Sequence, residues 1–178
     1  AVDDAAGLAI GTDLTARVSG LNQAVRNVND GISMLQITEG AYDEVTTILQ
    51  RMRDIAVQGL NQSLTATETS YLSTEHTNLA GAITDAIGMA KFANVDLATG
   101  AVSVTLQSGA DAGVTIGITT GTTLVNSLAA LSVGTATFTT AGLSNLDDAI
   151  DAVANHRATL GAQQAQLEST VRNLANVA

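Results

Sequence analysis

Cysteine, proline and tryptophan are all absent from the 178 residues. The lack of Cys excludes disulfides, thiolate catalysis and Cys-ligated metal sites. The lack of Pro favours long uninterrupted helices, because Pro removes a helical hydrogen bond and clashes with the preceding turn. Aromatic residues make up only 2% of the chain, so a core must be built from Leu, Ile, Val and Ala.

Positive charge is scarce as well. Seven Lys and Arg residues face 17 Asp and Glu residues, the net charge is −10, and Lys91 is the single lysine. Nucleic acids and anionic membranes are bound by clustered basic side chains, and the sequence has no basic run. We therefore expect no nucleic-acid partner. The longest uncharged span, residues 112–146, is rich in Thr, Gly and Ser, which argues against a membrane-spanning helix.

Apolar residues that recur every three or four positions predict a long first helix over residues 4–58. This stripe passes through the turn tripeptide Asn29-Asp30-Gly31 without a change of phase, although a real turn would reset the phase. The alternative is a pair of helices broken at Gly31. The members of the stripe are Ile10, Leu14, Val18, Leu21, Val25, Val28, Ile32, Leu35, Tyr42, Leu49, Met52 and Ile55 or Ala56.

Two further helices are predicted from capping and spacing. Thr65 followed by Glu68 predicts a capping box at the start of a helix that extends to about residue 91. Ser144, with Asp147 three residues later, predicts the N-cap of a last helix. Arg157 and Gln164 are the polar members of its seam, and such residues can fix the register against a partner. The apolar seam residues are Leu146, Ile150, Val153, Leu160, Leu167, Val171 and Leu174.

A β region separates these helices. Residues 102–107 and 114–119 alternate apolar and polar side chains, which predicts a β-hairpin over the loop at residues 108–113. Residues 124–133 fit a short helix or a strand, and residues 135–140 predict a further strand. The chain thus divides into an N-terminal helical half (1–93), a β-hairpin region (94–142) and a C-terminal helix (143–178), within one structural domain that is mainly α.

No constellation of catalytic or metal-binding residues emerges. His76 and His156 lack the H-E-x-x-H spacing of a zinc protease and fit surface positions on helices. The acidic cluster Asp147, Asp148 and Asp151 fits the start of a helix, where it complements the helix dipole. The sequence has no phosphate-binding loop and no Ser-His-Asp arrangement. We therefore expect no catalytic residue, metal site or cofactor, and no enzyme activity.

Four stretches carry a resemblance to bacterial flagellin. "RNVNDGISMLQITEGAYDEVTTILQRMRDIAVQ" (26–58) resembles the N-terminal signature of that family, and "DDAAGLAI" from Asp3 resembles the stretch before it. "SNLDDAIDAVANHRATLGAQQAQLESTVRNLANV" from Ser144 is similar to the family's C-terminal helix. "AKFANVDL" stands where the family has a Phe-Asn-Gly motif, altered here to Phe92-Ala93-Asn94.

The resemblance implies a rod of three long helices capped by β-hairpins, the flagellin core domain. It implies a structural subunit of the flagellar filament, serving motility, exported through the flagellar type III apparatus to the extracellular cell surface. The implied partners are other flagellin subunits, an export chaperone and the filament cap. By this resemblance we expect the family's terminal helical segments to be missing and its outer domains to be absent or reduced to residues 119–142. We therefore expect a filament-core fragment that is monomeric or weakly associated and does not build filaments alone. The alternative is a flagellin-like cell-surface binding protein.

The resemblance also implies contact residues for an animal Toll-like receptor. Gln50, Arg51 and Arg53 match the family's receptor motif, and Glu75 matches on the next helix. Asp54 and Ile55 replace the Glu and Leu of that motif. Arg51 and Ile55 are four residues apart, which predicts that they share one helix face. The alternative is that the same face forms a contact between filament subunits. The candidate contact residues are Gln50, Arg51, Arg53, Ile55 and Glu75.

Overall fold

The structure, a computed structural model, describes residues 5–61, 63–98, 102–120 and 138–177. In these residues the chain forms three long helices and two small antiparallel β-hairpins, so the predicted mainly α fold is confirmed. The elements are α1 (Ala5–Gly59), α2 (Ala66–Met89), β1 (Lys91–Phe92), β2 (Val95–Asp96), β3 (Val102–Gln107), β4 (Thr115–Thr120) and α3 (Thr140–Val177).

Helix α1 is continuous over its 55 residues. It includes the Asn29-Asp30-Gly31 tripeptide, so the prediction of one long helix is confirmed and the alternative of a break at Gly31 is wrong. Gly31 is buried, and a Cβ atom built there would lie 2.2 Å from Cδ1 of Leu106 in β3. The glycine is therefore explained by the close approach of a strand, because a bare backbone leaves room for the leucine.

The described residues pack as two compact units. The first contains α1 up to Leu35, residues Ser103–Thr119 and α3 from Gly161. In this unit the β3–β4 hairpin is held against α1 by Asn27, whose Nδ2 donates to the Gln107 carbonyl at 3.2 Å. Burial follows the predicted alternation at residues 103–106 and 115–119, whereas Val114 is exposed and precedes β4. The buried apolar residues of this unit are Ala24, Val28, Met34, Leu35, Ile118 and Leu167.

The second unit contains Gln36–Val102 and Thr120–Leu160 where these are described. Leu160, a predicted seam residue, is 2% exposed in its core. The organisation of the whole chain as one domain with boundaries at 93 and 142 stays a prediction. The buried apolar residues of this unit are Tyr42, Val45, Ile48, Leu49, Met52, Ile55, Ala56, Ile83, Ile87, Ala90, Leu97, Ala98, Leu146, Ala149, Val153 and Leu160.

Helix α2 begins with the predicted capping box. The Thr65 hydroxyl accepts from the Glu68 N–H, and the Glu68 carboxylate accepts from the Thr65 N–H at 2.8 Å. The hydrogen bonds from Thr65 lower the pKa of Glu68 below its ordinary value. The reciprocal bonds satisfy two backbone donors that a helix start otherwise leaves free.

A two-residue turn joins β1 and β2. Lys91 pairs with Asp96 and Phe92 with Val95 in antiparallel register. The turn residues Ala93 and Asn94 have φ values of 46° and 67°. Two successive residues with positive φ are typical of a type I′ turn, which twists with the strands it joins. Asn tolerates this conformation, but at Ala93 it brings Cβ close to the following carbonyl oxygen and is sterically unfavourable.

The start of the last helix was predicted wrongly. Helix α3 begins at Thr140, four residues before the predicted N-cap Ser144, and the Thr139 hydroxyl accepts the N–H of Gly142 at 3.1 Å. Both residues are good N-caps by type, and the chain uses the earlier one. The strand predicted over 135–140 is absent at 138–140, while residues 135–137 and the ambiguous segment 124–133 lie outside the described residues.

The first turns of the apolar stripe do not reach a core. Leu8, Ile10 and Leu14 are 72%, 62% and 55% exposed, and Val18 is also exposed. Their regular spacing was correctly assigned to a helix, but Ile10, Leu14 and Val18 do not pack into a core of the described chain. This end of α1 therefore presents an apolar face, because four-residue steps keep side chains on one side of a helix. We call it the α1 entry face (Ile10, Leu14 and Val18).

Candidate functional site

The predicted contact residues on α1 point in different directions. Gln50 and Arg51 are exposed, and the Arg51 side chain retains 55% of its accessible surface. Ile55 is 0% exposed and belongs to the core of the second unit. Four residues advance a helix by about 400°, so Ile55 lies about 40° around from Arg51, and the edge of the core falls between them. The two residues lie close together around the helix as predicted, but the prediction of Ile55 as a direct contact residue is wrong, because its side chain is buried.

Arg51 reaches across to α2. Its Nε donates to Glu75 Oε1 at 2.9 Å, and its Nη2 donates to the same oxygen at 2.5 Å. Two predicted contact residues, 24 positions apart, are thus brought together into one ion pair. Both side chains are well exposed, so water screens the pair and its contribution to stability is about 0–1 kcal/mol. Its consequence is geometric, because it fixes where the guanidinium lies on the surface.

Arg53 is directed to a different helix. Its Nε donates to Asp147 Oδ1 at 2.6 Å, and this hydrogen bond and the charge of Asp147 raise the pKa of Arg53. Asp147 was predicted to complement the dipole at a helix start. Because α3 begins at Thr140, Asp147 lies about two turns inside the helix and serves instead as the partner of Arg53. This pair links α1 to α3.

The two polar residues of the α3 seam behave differently. Arg157 forms an ion pair with Asp43 of α1 at 3.0 Å, consistent with the predicted role in register. The hydrogen bond that the structure shows for Gln164 goes to Glu168 of its own helix at 3.2 Å. Its predicted role in register stays a prediction.

One feature of the second unit was not predicted. Tyr42 is 0% exposed, and its hydroxyl has no hydrogen-bond partner among the residues that the structure describes. Its ring lies 6.3 Å from the ring of His156 at an angle of 49°. His156 is half-buried, so it lies at the edge of the predicted surface position. The seam positions of both helices were known from the sequence, but their facing partners were not. Burial raises the pKa of the Tyr42 hydroxyl.

The α1 entry face borders a shallow groove on the same helix. Its lining is built from small side chains spaced four apart, with Leu8 at one side. Within the described part of the chain, no three His, Asp or Glu side chains come together as a metal site would need. None of the helices described here has the length and hydropathy needed to cross a membrane. The groove is lined by Gly7, Leu8, Gly11, Thr12, Thr15, Ala16 and Ser19.

The described surface therefore consists of helix faces and interhelical ion pairs. Comparison with known protein families assigns the sequence to one of them. Residues 1–102 match the model of the bacterial flagellin N-terminal helical region. The chain belongs to the bacterial flagellin family. The residues that carried the resemblance at the N-terminal end, 26–58, lie inside the matched range, and the prediction of the family is confirmed.

Relatives along the whole chain agree with this assignment. A flagellin of Halalkalibacterium halodurans is 38% identical over 98% of this chain, and the match covers 66% of the relative. A flagellin of Salmonella typhimurium is 42% identical over 66% of this chain but only 24% of its own length. The chain thus spans about two thirds of one curated relative and about a quarter of the other.

Solved structures share the fold. The crystal structure of Bacillus cereus flagellin superimposes with a TM-score of 0.72 at 28% identity, covering 84% of this chain and 88% of that one. A putative flagellar hook-associated protein from Vibrio parahaemolyticus superimposes with a TM-score of 0.61 at 16% identity and covers 98% of this chain. At that identity the second likeness shows the fold alone.

Proposed function

We propose that this flagellin is the structural subunit of a bacterial flagellar filament and has no catalytic role. The observation that carries the proposal is the α1 entry face. Ile10 and Leu14 are more than half exposed and lie one turn apart on the same side of α1, and exposed contiguous apolar surface marks protein contacts. In a subunit of this family, the partner that such a face requires is another flagellin subunit.

The proposal places the protein outside the cell. Its family and the exposed apolar face support export in an unassembled state through the flagellar type III apparatus. An export chaperone that shields apolar surface and a filament cap that guides assembly are the further partners proposed. The alternative, a cell-surface binding protein, gains no support from the relatives described above, which are flagellins.

Electron microscopy tests this function on the protein at its full natural length. We expect filaments from the unmodified protein, and short or no filaments from the double variant Ile10→Gln, Leu14→Gln. Thr12→Gln is the matched control, since Thr12 is exposed on the same turns of α1. Both variants should unfold at the same temperature as the unmodified protein, because these side chains are not in a core. Filaments of normal length from the double variant would remove the entry face from the assembly contact, and absence of filaments from every form would favour the cell-surface alternative.

We propose a second role for the surface at Gln50, Arg51 and Glu75, namely recognition by an animal Toll-like receptor. The supporting observation is the Arg51–Glu75 pair, which holds an exposed guanidinium in one place and so reduces the side-chain entropy lost on binding. Arg residues are enriched at interface hot spots. Arg53 supports this surface less directly, because Asp147 engages it, and Ile55 supports it from the core.

A binding titration against the receptor ectodomain tests the second role. We expect Arg51→Ala to weaken binding at least tenfold, which corresponds to about 1.4 kcal/mol. Arg26→Ala is the control, because Arg26 is also exposed on α1 and pairs with Gln23 instead. Equal affinities for both variants and the parent would leave Arg51 as a residue of subunit contact only.

A further inference from the structure

The three methionines of the chain occupy very different environments. Met34 is 6% exposed and Met52 is 0% exposed, whereas Met89 is 79% exposed. Met34 and Met52 lie on the buried side of α1. Met89 is the last residue of α2, immediately before the β1–β2 hairpin. Met89 is therefore the one methionine of the three whose side chain is largely open to solvent in the folded chain.

Composition makes this exposure chemically significant. Sulfur side chains are the groups that hydroperoxides oxidise by a two-electron step, and thiolates compete with thioethers for that oxidant. The chain contains no Cys at all and only three Met residues. All three methionines belong to the described residues, so no further thioether is hidden elsewhere. Oxidant that reaches the folded protein accordingly finds a single accessible sulfur.

We propose that Met89 is a modification site at which hydroperoxides form methionine sulfoxide without unfolding the protein. The thioether sulfur attacks one oxygen of hydrogen peroxide, an S–O bond forms, and the O–O bond breaks. The sulfur loses two electrons, and the peroxide is reduced to water after proton transfer to the departing oxygen. The products are methionine sulfoxide and one water molecule.

The position of Met89 explains why the fold tolerates the change. Sulfoxide formation converts an apolar side chain into a polar one, which disrupts a core but suits a hydrated surface. Met89 has little packing to lose, and its neighbour Ala90, which is buried, keeps the helix cap through its N–H bond to the Ile87 carbonyl at 3.2 Å. At Met52 the sulfoxide oxygen would have to fit into a closed core. Oxidation there requires α1 to open first.

Peptide mapping by mass spectrometry after timed exposure to hydrogen peroxide tests the site. The folded chain should gain one oxygen atom, located at Met89, while Met34 and Met52 react at least tenfold more slowly. Met89→Leu, which keeps the size and polarity of the side chain, should gain no oxygen over the same interval. In denaturant all three methionines should react at similar rates, which shows that exposure and not local sequence sets the order.

Two outcomes would overturn the proposal. One is oxidation of Met34 or Met52 in the folded chain as fast as that of Met89. The other is a fall in the thermal midpoint of the singly oxidised chain compared with the unreacted chain, measured by circular dichroism. Met52→Leu serves as the second variant, since it should leave the first oxidation event and its rate unchanged. The result is independent of filament formation, because the isolated folded chain is the substrate.

Discussion

Replacing Gly by Ala at two positions of α1 should change stability in opposite directions. Gly40 is exposed, and a Cβ atom at this position would meet no atom within 4 Å. Gly31 is buried, and its Cβ would lie 2.2 Å from Cδ1 of Leu106 and 3.4 Å from Cδ1 of Leu167. Both are interior positions of the same helix, so the difference between the two variants isolates the contact of α1 with strand β3.

The magnitudes follow from two terms. Ala is favoured over Gly in a helix interior by roughly 0.5–1 kcal/mol, because Gly loses more backbone entropy on folding. Gly40→Ala should therefore stabilise the chain by that amount. Gly31→Ala gains the same term, but the Leu106 side chain must leave its position, and overpacking of this kind costs about 1–3 kcal/mol. The net effect at Gly31 is a destabilisation of about 0–2.5 kcal/mol.

Thermal unfolding followed by circular dichroism separates these outcomes. For a chain of 150–250 residues, 1 kcal/mol shifts Tm by roughly 2–4 °C. We expect Gly40→Ala to raise Tm and Gly31→Ala to lower it, and Leu106→Ala in the Gly31→Ala background to restore part of the loss. Equal increases in Tm for both single variants would show that β3 does not approach Gly31 closely, and would refute the explanation given for the glycine.

Four further changes probe individual contacts, each measured by thermal or urea unfolding. Leu160→Ala should destabilise the chain by about 2–5 kcal/mol, because it leaves a cavity in a closed core, and a smaller loss would mean that the seam collapses around it. Tyr42→Phe should be neutral or stabilise, since it removes a buried hydroxyl without a partner, and a clear loss would reveal a partner for that hydroxyl. Ala93→Gly should stabilise by up to about 1 kcal/mol by relieving the positive φ, and no gain would argue against strain in the turn. The folded pKa of Glu68 is lowered, so the capping box stabilises the chain above the unfolded pKa of about 4.3, and this stabilisation is lost as pH falls through the folded pKa. Thr65→Ala should reduce the loss of stability on the acid side. A pH profile of stability that is unchanged in this variant would exclude the contribution of the capping box.

The sequence predicted the helices well because their signal is periodic and local. A stripe that keeps its phase through Asn29-Asp30-Gly31 outweighs three residues that favour a turn. The reason for Gly31 was out of reach, because it depends on Leu106, which lies 75 positions further along the chain. A local rule can show that a glycine is tolerated, but only the fold shows what occupies the space.

The errors have a common cause, which is that several residues satisfy the same local rule. Thr139 and Ser144 are both suitable N-caps, and spacing alone does not rank them. Ile10 and Leu14 satisfy the periodicity of a packed seam as well as Leu35 does, yet they are exposed. Periodicity identifies a face of a helix, and the presence of a partner for that face is a tertiary property.

The candidate contact surface at Gln50, Arg51 and Glu75 was predicted only in part, because the exposure and pairing of its residues are tertiary properties as well. Gln50 and Arg51 lie at exposed positions and Glu75 at a partly exposed one, but the pairing of Arg51 with Glu75 depends on the register between α1 and α2. The error at Ile55 shows how narrow the margin is, because a rotation of about 40° around a helix separates an exposed residue from a buried one. A resemblance transfers the positions of a motif, and the exposure of each position has to be measured.

The ion pairs between α1 and α3 show what information the sequence lacked. Asp43 pairs with Arg157, and Arg53 pairs with Asp147, so a step of ten residues forward along α1 is matched by a step of ten backward along α3. Two such pairs establish an antiparallel register within the second unit. Either pair, once known, predicts the other, since both helices rise by the same distance per residue. The sequence contains all four charged residues but does not give the offset between the two helices. Without that offset, the residues that pair across the two helices cannot be predicted.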